Sequence, residues 1–505
     1  MANIYLQNAV ILTAASLVLR AAGMVLRVLL AAHLGGEGMG LYQLVFTAYG
    51  VSIAAAVGEI SVVSTRLFAE TLAKRDGKSA KKLLHRLVLA GAMLGSLAGA
   101  AQYFLSGPAA RWILGDLRAV PALRVLAFSL PFMAMGAAIR GYFMAARNVR
   151  PNVLSQLLEQ SVRLGLILWL LQSVRTANLG QAVAMVTIGN SVSEAVSCLL
   201  MLRFAAKEKR KLQSLLPQNG SAMPGWGKML KIFLPVEGNR LTSSLLHTAE
   251  TSLVPACLAL YVGSRSAALA QFGELRGMAL PLLTFPFSFL ATLSGLLMPE
   301  IARAHSGRNP AALHDLVGRT MAITWGVSLF AGAFFTLWAM PLGQMIYRDA
   351  NIGWYLAWLG PIVPFMYLES MVDGIMKGIG EQLASFQYEM LNAVFRLLGI
   401  LFLLPRFGIK GYVALVAVSN LLTCLLNFGR MLRVLQIPFA WNEWLVKPGI
   451  LLLVSLLVCM GVQGAVRQAG EVWRFLLPAG SMALCYMLLL WQFSLRKQLG
   501  GESGK

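Results

Sequence analysis

Several charged side chains sit where the surrounding sequence is apolar, and they are the residues that could do chemistry. Arg20 and Arg27 are seven apart and share one helical face with Gly23 and Ala31. Guanidinium forks match phosphate oxygens, so a wall carrying both suits an anionic ligand. The plainer reading is that one arginine snorkels to an interface. Further on, Arg240, Ser243, His247 and Glu250 fall within one sector of about 80° at 100° per residue, with Asn239 and Ser244 alongside. That stripe suits a cleft lining with Glu250 as an ion or proton site, or else a hydrogen-bonded seam between helices. Glu274 and Arg276 point about 200° apart on a helix, so only one can line a given cavity. Arg276 is the candidate, and Glu274 is expected near the outer interface.

The i,i+4 pairs Glu159–Arg163 and Asn392–Arg396 are expected to lock helices together. Glu369 and Asp373 share a face and read either as a coupling-ion site or as a structural pair. Glu59 is a further acidic candidate for ion or proton coupling. No P-loop, GxSxG, HExxH or CxxC pattern is present, so no enzyme, metal site or cofactor is expected. Cys198, Cys257, Cys424, Cys459 and Cys485 all fall in apolar segments and read as small apolar residues. Work done on a ligand would then draw on a Na+ or H+ gradient, the substrate gradient, or the membrane potential, worth about 2.3 kcal/mol per charge per 100 mV.

The elements that hold these residues follow from composition. Of 505 residues, 57% are hydrophobic and 13% charged, against about 25% charged in an ordinary soluble domain. The mean hydropathy is +0.68. Apolar runs of about 20 residues, each able to cross roughly 30 Å of hydrocarbon as a helix, recur along the whole chain. Fourteen spans are expected, at roughly 8–33, 41–65, 84–105, 121–145, 152–172, 179–202, 230–260, 267–300, 318–340, 354–376, 384–404, 411–429, 448–466 and 474–493. These continuous runs exclude a barrel, whose strands are short and alternating. The expectation is an all-α polytopic membrane protein.

The net charge of +22 is unevenly placed. With the N-terminus inside, about 26 Lys and Arg fall on the cytoplasmic side and about nine outside. The largest clusters are Lys74 to Arg86 and Arg203 to Lys231. Positive-inside asymmetry puts both termini in the cytoplasm and the basic loops against anionic headgroups. A nucleic-acid partner is not expected, because no loop is long enough to fold into a soluble basic surface. The first apolar run is too long and too arginine-bearing for a cleavable signal.

Pro131-Phe132-Met133 recurs as Pro364-Phe365-Met366, an offset of 233 that also carries Gly141 onto Gly374, Arg163 onto Arg396 and Leu164 onto Leu397. It carries Gln156, Glu159 and Arg163 onto Glu389, Asn392 and Arg396. Two parallel six-helix lobes follow, since an even number of crossings returns the chain to the same side. The expected divisions are an N-terminal lobe at 1–205, a basic cytoplasmic linker at 206–229, a C-terminal lobe at 230–433, and two extra helices with a tail at 434–505. Two lobes in one chain complete a cleft, so a monomer is expected.

Several motifs resemble a known family. Arg20-x-x-Gly23-x-x-x-Arg27 and Leu34-Gly35-Gly36-Glu37-Gly38-Met39-Gly40-Leu41-Tyr42 look like the first span and turn of stage V sporulation protein B and its relatives. Pro235 with Asn239-Arg240, Glu250 with Pro255, Gly277-Met278-Ala279-Leu280-Pro281 and Phe285-Pro286 match in family order. Pro299-Glu300-Ile301, Gly378-Ile379-Gly380 and Gly408-Ile409-Lys410-Gly411-Tyr412 complete the set. The superfamily includes lipid II flippases, polysaccharide exporters and multidrug and toxin extruders. The resemblance implies fourteen spans, two lobes and a lipid-linked saccharide substrate in a bacterial plasma membrane. It also implies that Arg20 and Arg27 line a central cavity, with Arg276 similar to an eighth-span arginine. Two departures stand out: the lipid II flippases' span-2 cavity arginine has no counterpart, and Gly58-Glu59-Ile60-Ser61 replaces an apolar stretch. The rivals are a cation-coupled multidrug extruder, which Glu59, Glu250 and Asp373 would serve, and a non-transporting scaffold for septal or spore-envelope synthesis.

Overall fold

A backbone in lipid has no water to bond to, so each apolar run closes its own hydrogen bonds as a helix. The computed structural model describes residues 2–58, 60–73, 77–171, 178–213, 226–307, 310–466 and 470–502, and it is all-helical among them. Nine of the described helices are long and apolar enough to cross a membrane, or ten if one bent pair counts as a span. The protein is a multi-pass membrane protein. Two of the nine far exceed one crossing: Thr13–Ala73, which takes in most of the 55-residue helix α1 (Ala2–Ala56), has 61 residues, and a second near the C-terminal end, Gln382–Leu435, has 54. Each turns at a glycine with positive φ, Gly35 (φ 65°) and Gly408 (φ 59°), a conformation that strains any other residue. The two glycine-rich motifs are thus hidden turns.

The chain packs as two compact units. The first comprises Met1–Met278 and Ile400–Ile409. After α1 it holds α2 (Ile60–Ala73), α3 (Gly77–Pro108), α4 (Val120–Ala127), α5 (Leu130–Ala145), α6 (Arg150–Leu171), α7 (Leu179–Gln213), α8 (Trp226–Val262) and α9 (Arg265–Phe272). Glycines four apart on α3 draw it against its neighbours, as small residues do where helices pack in lipid. A Cβ on Gly91 would lie 2.8 Å from the Ala134 carbonyl, one on Gly95 2.6 Å from Pro131 Cα, and one on Gly99 2.6 Å from the Ala127 carbonyl.

The second unit comprises Ala279–Gly399 and Lys410–Lys505. It holds α10 (Leu280–Thr284), α11 (Phe287–Ser306), α12 (Pro310–Leu337), α13 (Ala339–Leu342), α14 (Ala350–Leu359), α15 (Val363–Gly378), most of α16 (Gln382–Leu435), α17 (Lys447–Ala465) and α18 (Glu471–Glu502). The repeat is written into local geometry. A Cβ on Gly332, 233 residues after Gly99, would lie 2.9 Å from the Gly360 carbonyl and 3.1 Å from Pro364 Cδ, as one on Gly99 would meet the Ala127 carbonyl and Pro131. Both copies place the recurring proline in the first helical turn of α5 and α15, where its missing N–H is harmless.

Several spans expected as continuous are broken, and the run 41–65 already parts between α1 and α2. The run 121–145 bends by 45° between α4 and α5. The run 354–376 is interrupted by a 3-10 turn at Gly360–Ile362. The run 267–300 divides into α9, a π-helical turn at Gly273–Ala279, α10 and α11. Prolines at 131, 281, 286, 361 and 364 remove backbone donors at these joints, which hydropathy does not register.

Candidate functional site

Most of the candidate polar side chains belong to the first unit, which also holds the turn that Gly35 makes. Beyond it, Gly36 and Gly40 face Gly273. A Cβ on Gly40 would overlap the Leu269 carbonyl, and one on Gly273 would overlap the Gly36 carbonyl. Only glycine lets these backbones touch. Glu274, the next residue, is buried, and its Oε1 would lie 3.2 Å from a Cβ on Gly36. The π-helical turn that follows carries Arg276, whose Nη2 donates to Glu250 Oε1 at 2.8 Å. The candidate cavity cation and the candidate coupling carboxylate therefore form an ion pair with each other.

Helix α8 leans on α1 and on the turn that follows it. Thr248 Oγ1 donates to the Thr47 carbonyl at 3.2 Å, and Arg240 Nη1 to the Gly58 carbonyl at 3.2 Å. Arg240 thus reaches the backbone beside Glu59, which lies outside the described residues, as does the Asn239 side chain. Arg20 and Arg27 are exposed on α1. Among the described residues neither has an ion pair or hydrogen bond. The hydroxyl of Tyr42 lies within coulombic reach of both Arg27 and Arg163.

Arg163 is held from two helices. Its Nη2 donates to Glu159 Oε1 at 2.6 Å, one turn back on α6, and to Glu194 Oε1 of α7 at 3.3 Å. Arg140 of α5 acts on the same Glu194. Tyr49, bonded to Ser129 and Met133, lies within coulombic reach of Glu159, Arg163 and Glu194. This network joins four helices, and Glu194 and Arg140 were not among the residues singled out from sequence. A lone carboxylate in the middle of an apolar run was the available signal for Glu194.

In the second unit the corresponding positions carry different charges: the offset of 233 sets Asp373 for Arg140, Asn392 for Glu159 and Asn427 for Glu194. Asp373 bonds Lys377 and Ser385. Glu369 lies within reach of the charges on Asp373, Glu389, Arg396 and Lys377. Asn392 Oδ1 is buried with no hydrogen bond among the described residues, so this oxygen does not close the expected pair with Arg396. No group of three metal-ligating side chains occurs among the described residues.

Residues 5–305 match the model of the polysaccharide biosynthesis protein family. The chain belongs to that family. It is 24% identical over 509 residues to stage V sporulation protein B of Bacillus subtilis (strain 168), covering 98% of this chain and 96% of that one. A solved structure of the lipid II flippase MurJ in an inward closed conformation superposes with a TM-score of 0.71 at 14% identity, covering 97% of this chain and 99% of that one. An inward-facing multidrug resistance MATE transporter of the MOP superfamily gives a TM-score of 0.64 at 15% identity, covering 83% and 94%. The family member described here therefore has the fold shared by these transporters. The matched residues 5–305 contain Arg20, Arg27, Glu159, Arg163, Arg240, Glu250 and Arg276.

Proposed function

We propose that the chain is a flippase that moves an undecaprenyl-linked saccharide across the cytoplasmic membrane by alternating access. The observation that carries this reading is the pair Arg20 and Arg27, exposed on one face of α1 and with neither an ion pair nor a hydrogen bond among the described residues. A guanidinium at mid-membrane is expensive by about 2.5–3.5 kcal/mol on insertion scales, so two of them need an anionic ligand or water to face. A pyrophosphate supplies that match, and the lipid tail can stay in the bilayer while the head group crosses. The family description and the shared fold with a lipid II flippase support a lipid-linked cargo.

On this reading the chain crosses fourteen times as two parallel six-helix lobes, at 1–205 and 230–433, joined by the basic linker at 206–229 and followed by two extra helices. Of that linker, residues 214–225 lie outside the described residues. The termini are cytoplasmic, a monomer suffices, and Arg240 and Asn239 line the cleft with the two span-1 arginines. The pairing of Glu250 with Arg276 occupies one of the three carboxylates that a cation extruder would use.

The test is reconstitution of the full chain in vesicles with a head-group-labelled undecaprenyl-pyrophosphate saccharide and a membrane-impermeant quencher. Arg20→Ala and Arg27→Ala should each slow head-group exposure about tenfold or more while the protein stays monodisperse. Wild-type rates in both variants, or transport of a hydrophobic cation instead, would sink the proposal.

A further inference from the structure

The repeat shows which helix face in the first copy lacks a cover. In the second copy, Gly326 and Phe330 of α12 lie under α18: Tyr486 donates to the Gly326 carbonyl at 2.8 Å, and its ring stacks on Phe330 with centroids 5.1 Å apart. The offset of 233 carries these two positions to Met93 and Leu97 of α3, which are 65% and 70% exposed. Beside them, along the bend between α4 and α5, runs a groove of about 490 Å³ lined by Ser96, Gly99, Ala100, Phe104, Phe128 and Phe132. From Ser96 to Phe104 it follows α3 for about 12 Å, at 1.5 Å per residue. Its walls are apolar and aromatic, with the Tyr103 ring edge-on to Phe104 and Phe128 at 5.6 and 5.9 Å.

One end of the groove is cationic. Arg124, one turn before Phe128, holds its guanidinium over the Tyr103 ring at 5.3 Å. Its Nε donates to Ser106 Oγ at 3.2 Å, and no carboxylate pairs with it among the described residues. Arg111 is exposed nearby in sequence, at the end of α3, next to Trp112, which is 80% exposed. Tryptophan and arginine at a helix end mark the water–lipid boundary. The chemistry at this end is therefore that of a headgroup phosphate, and the chemistry of the groove is that of a single hydrocarbon chain.

We propose that the groove is a lipid site: an anionic glycerophospholipid lays one acyl chain along α3, next to the positions that α18 covers in the second copy, with its phosphate on Arg124. The short apolar groove fits a stretch of acyl chain, and the unneutralised arginine selects a net negative headgroup over a zwitterionic one. The site is independent of the transport reading, because none of its residues is among the arginines assigned to cargo.

The experiment uses the full chain in nanodiscs containing phosphatidylglycerol or phosphatidylcholine with a diazirine near the end of one acyl chain, and maps the photolabel by peptide mass spectrometry. Phosphatidylglycerol should label peptides spanning 96–104 and 127–132 about fivefold more than phosphatidylcholine, the selectivity expected of one interfacial arginine. Arg124→Gln should bring the two lipids level, and Ala100→Phe, which fills the groove, should remove both labels. If Ala100→Phe is not monodisperse, Arg124→Gln decides alone. Equal labelling by the two lipids in the wild type, or full selectivity in Arg124→Gln, overturns the proposal. So does loss of the label on adding equimolar undecaprenyl phosphate, which would assign the groove to the carrier lipid.

Discussion

Arg276 and Glu250 stand 2.8 Å apart on different helices of the first unit, and Glu250 is only 2% exposed. Removing one partner of such a pair strands a buried charge, at about 3–5 kcal/mol, whereas replacing both by apolar residues of similar size is close to neutral. Arg276→Ala is therefore expected to lower the melting temperature of the purified protein sharply. The double variant Glu250→Leu/Arg276→Met should recover most of the loss. Simple additivity of the two single substitutions would show that the pair does not act as a unit.

The contact of Gly40 and Gly36 with Gly273 predicts a steep contrast among glycines of the same region. Gly273→Val and Gly40→Val force backbone against side chain and should abolish monodisperse protein on size exclusion. Gly23→Ala meets nothing within 4 Å and should be tolerated or gain up to about 1 kcal/mol from helix propensity. Well-folded Gly273→Val would refute the close crossing.

Asp116 sits between α3 and α4, outside the spans, and accepts from the Arg118 backbone N–H at 3.0 Å and from its Nη2 at 2.7 Å. Burial alone would raise its carboxyl. The hydrogen bonds from Arg118, with the charges of Arg118 and Arg265, more than offset that and leave it below its ordinary value. A carboxyl depressed in the folded state adds stability that is fully present above its unfolded value near 4 and is lost as pH falls through the folded one. Melting temperature should thus drop below about pH 4 in the wild type. Asp116→Asn should be less stable at neutral pH and show a shallower acid limb; an unchanged limb would contradict the assignment.

Arg163 serves both Glu159 and Glu194. Arg163→Met leaves two neighbouring carboxylates without their shared cation and should cost several kcal/mol, about as much as breaking a buried pair. Adding Glu194→Gln to that variant should restore part of the loss. If Glu194→Gln does nothing in the Arg163→Met background while stabilising the wild type, the two groups are not coupled.

What the sequence determined by itself was whatever repeats at short range or demands a particular solvent. Apolar runs of about 20 residues can only be helices in lipid, because the bilayer offers their backbone no other partner. Pro131 and Pro364, 233 apart, announced a repeat whose packing recurs at Gly99 and Gly332. Arg20 and Arg27 were legible as charges within an apolar run, and the glycine-rich motif at 34–42 as a turn. The tertiary structure alone decided who meets whom. Helical phase shows that Glu274 and Arg276 diverge, but not that Arg276 turns to Glu250, since that depends on how α8 and the π-helical turn at 273–279 lie against each other. Glu194 of α7 meets Glu159 of α6 with Arg163 between their charges, a contact between two helices. Which face of α12 is covered depends on where α18 packs. Such partners are separated by tens to hundreds of residues, and no local periodicity carries information over that distance.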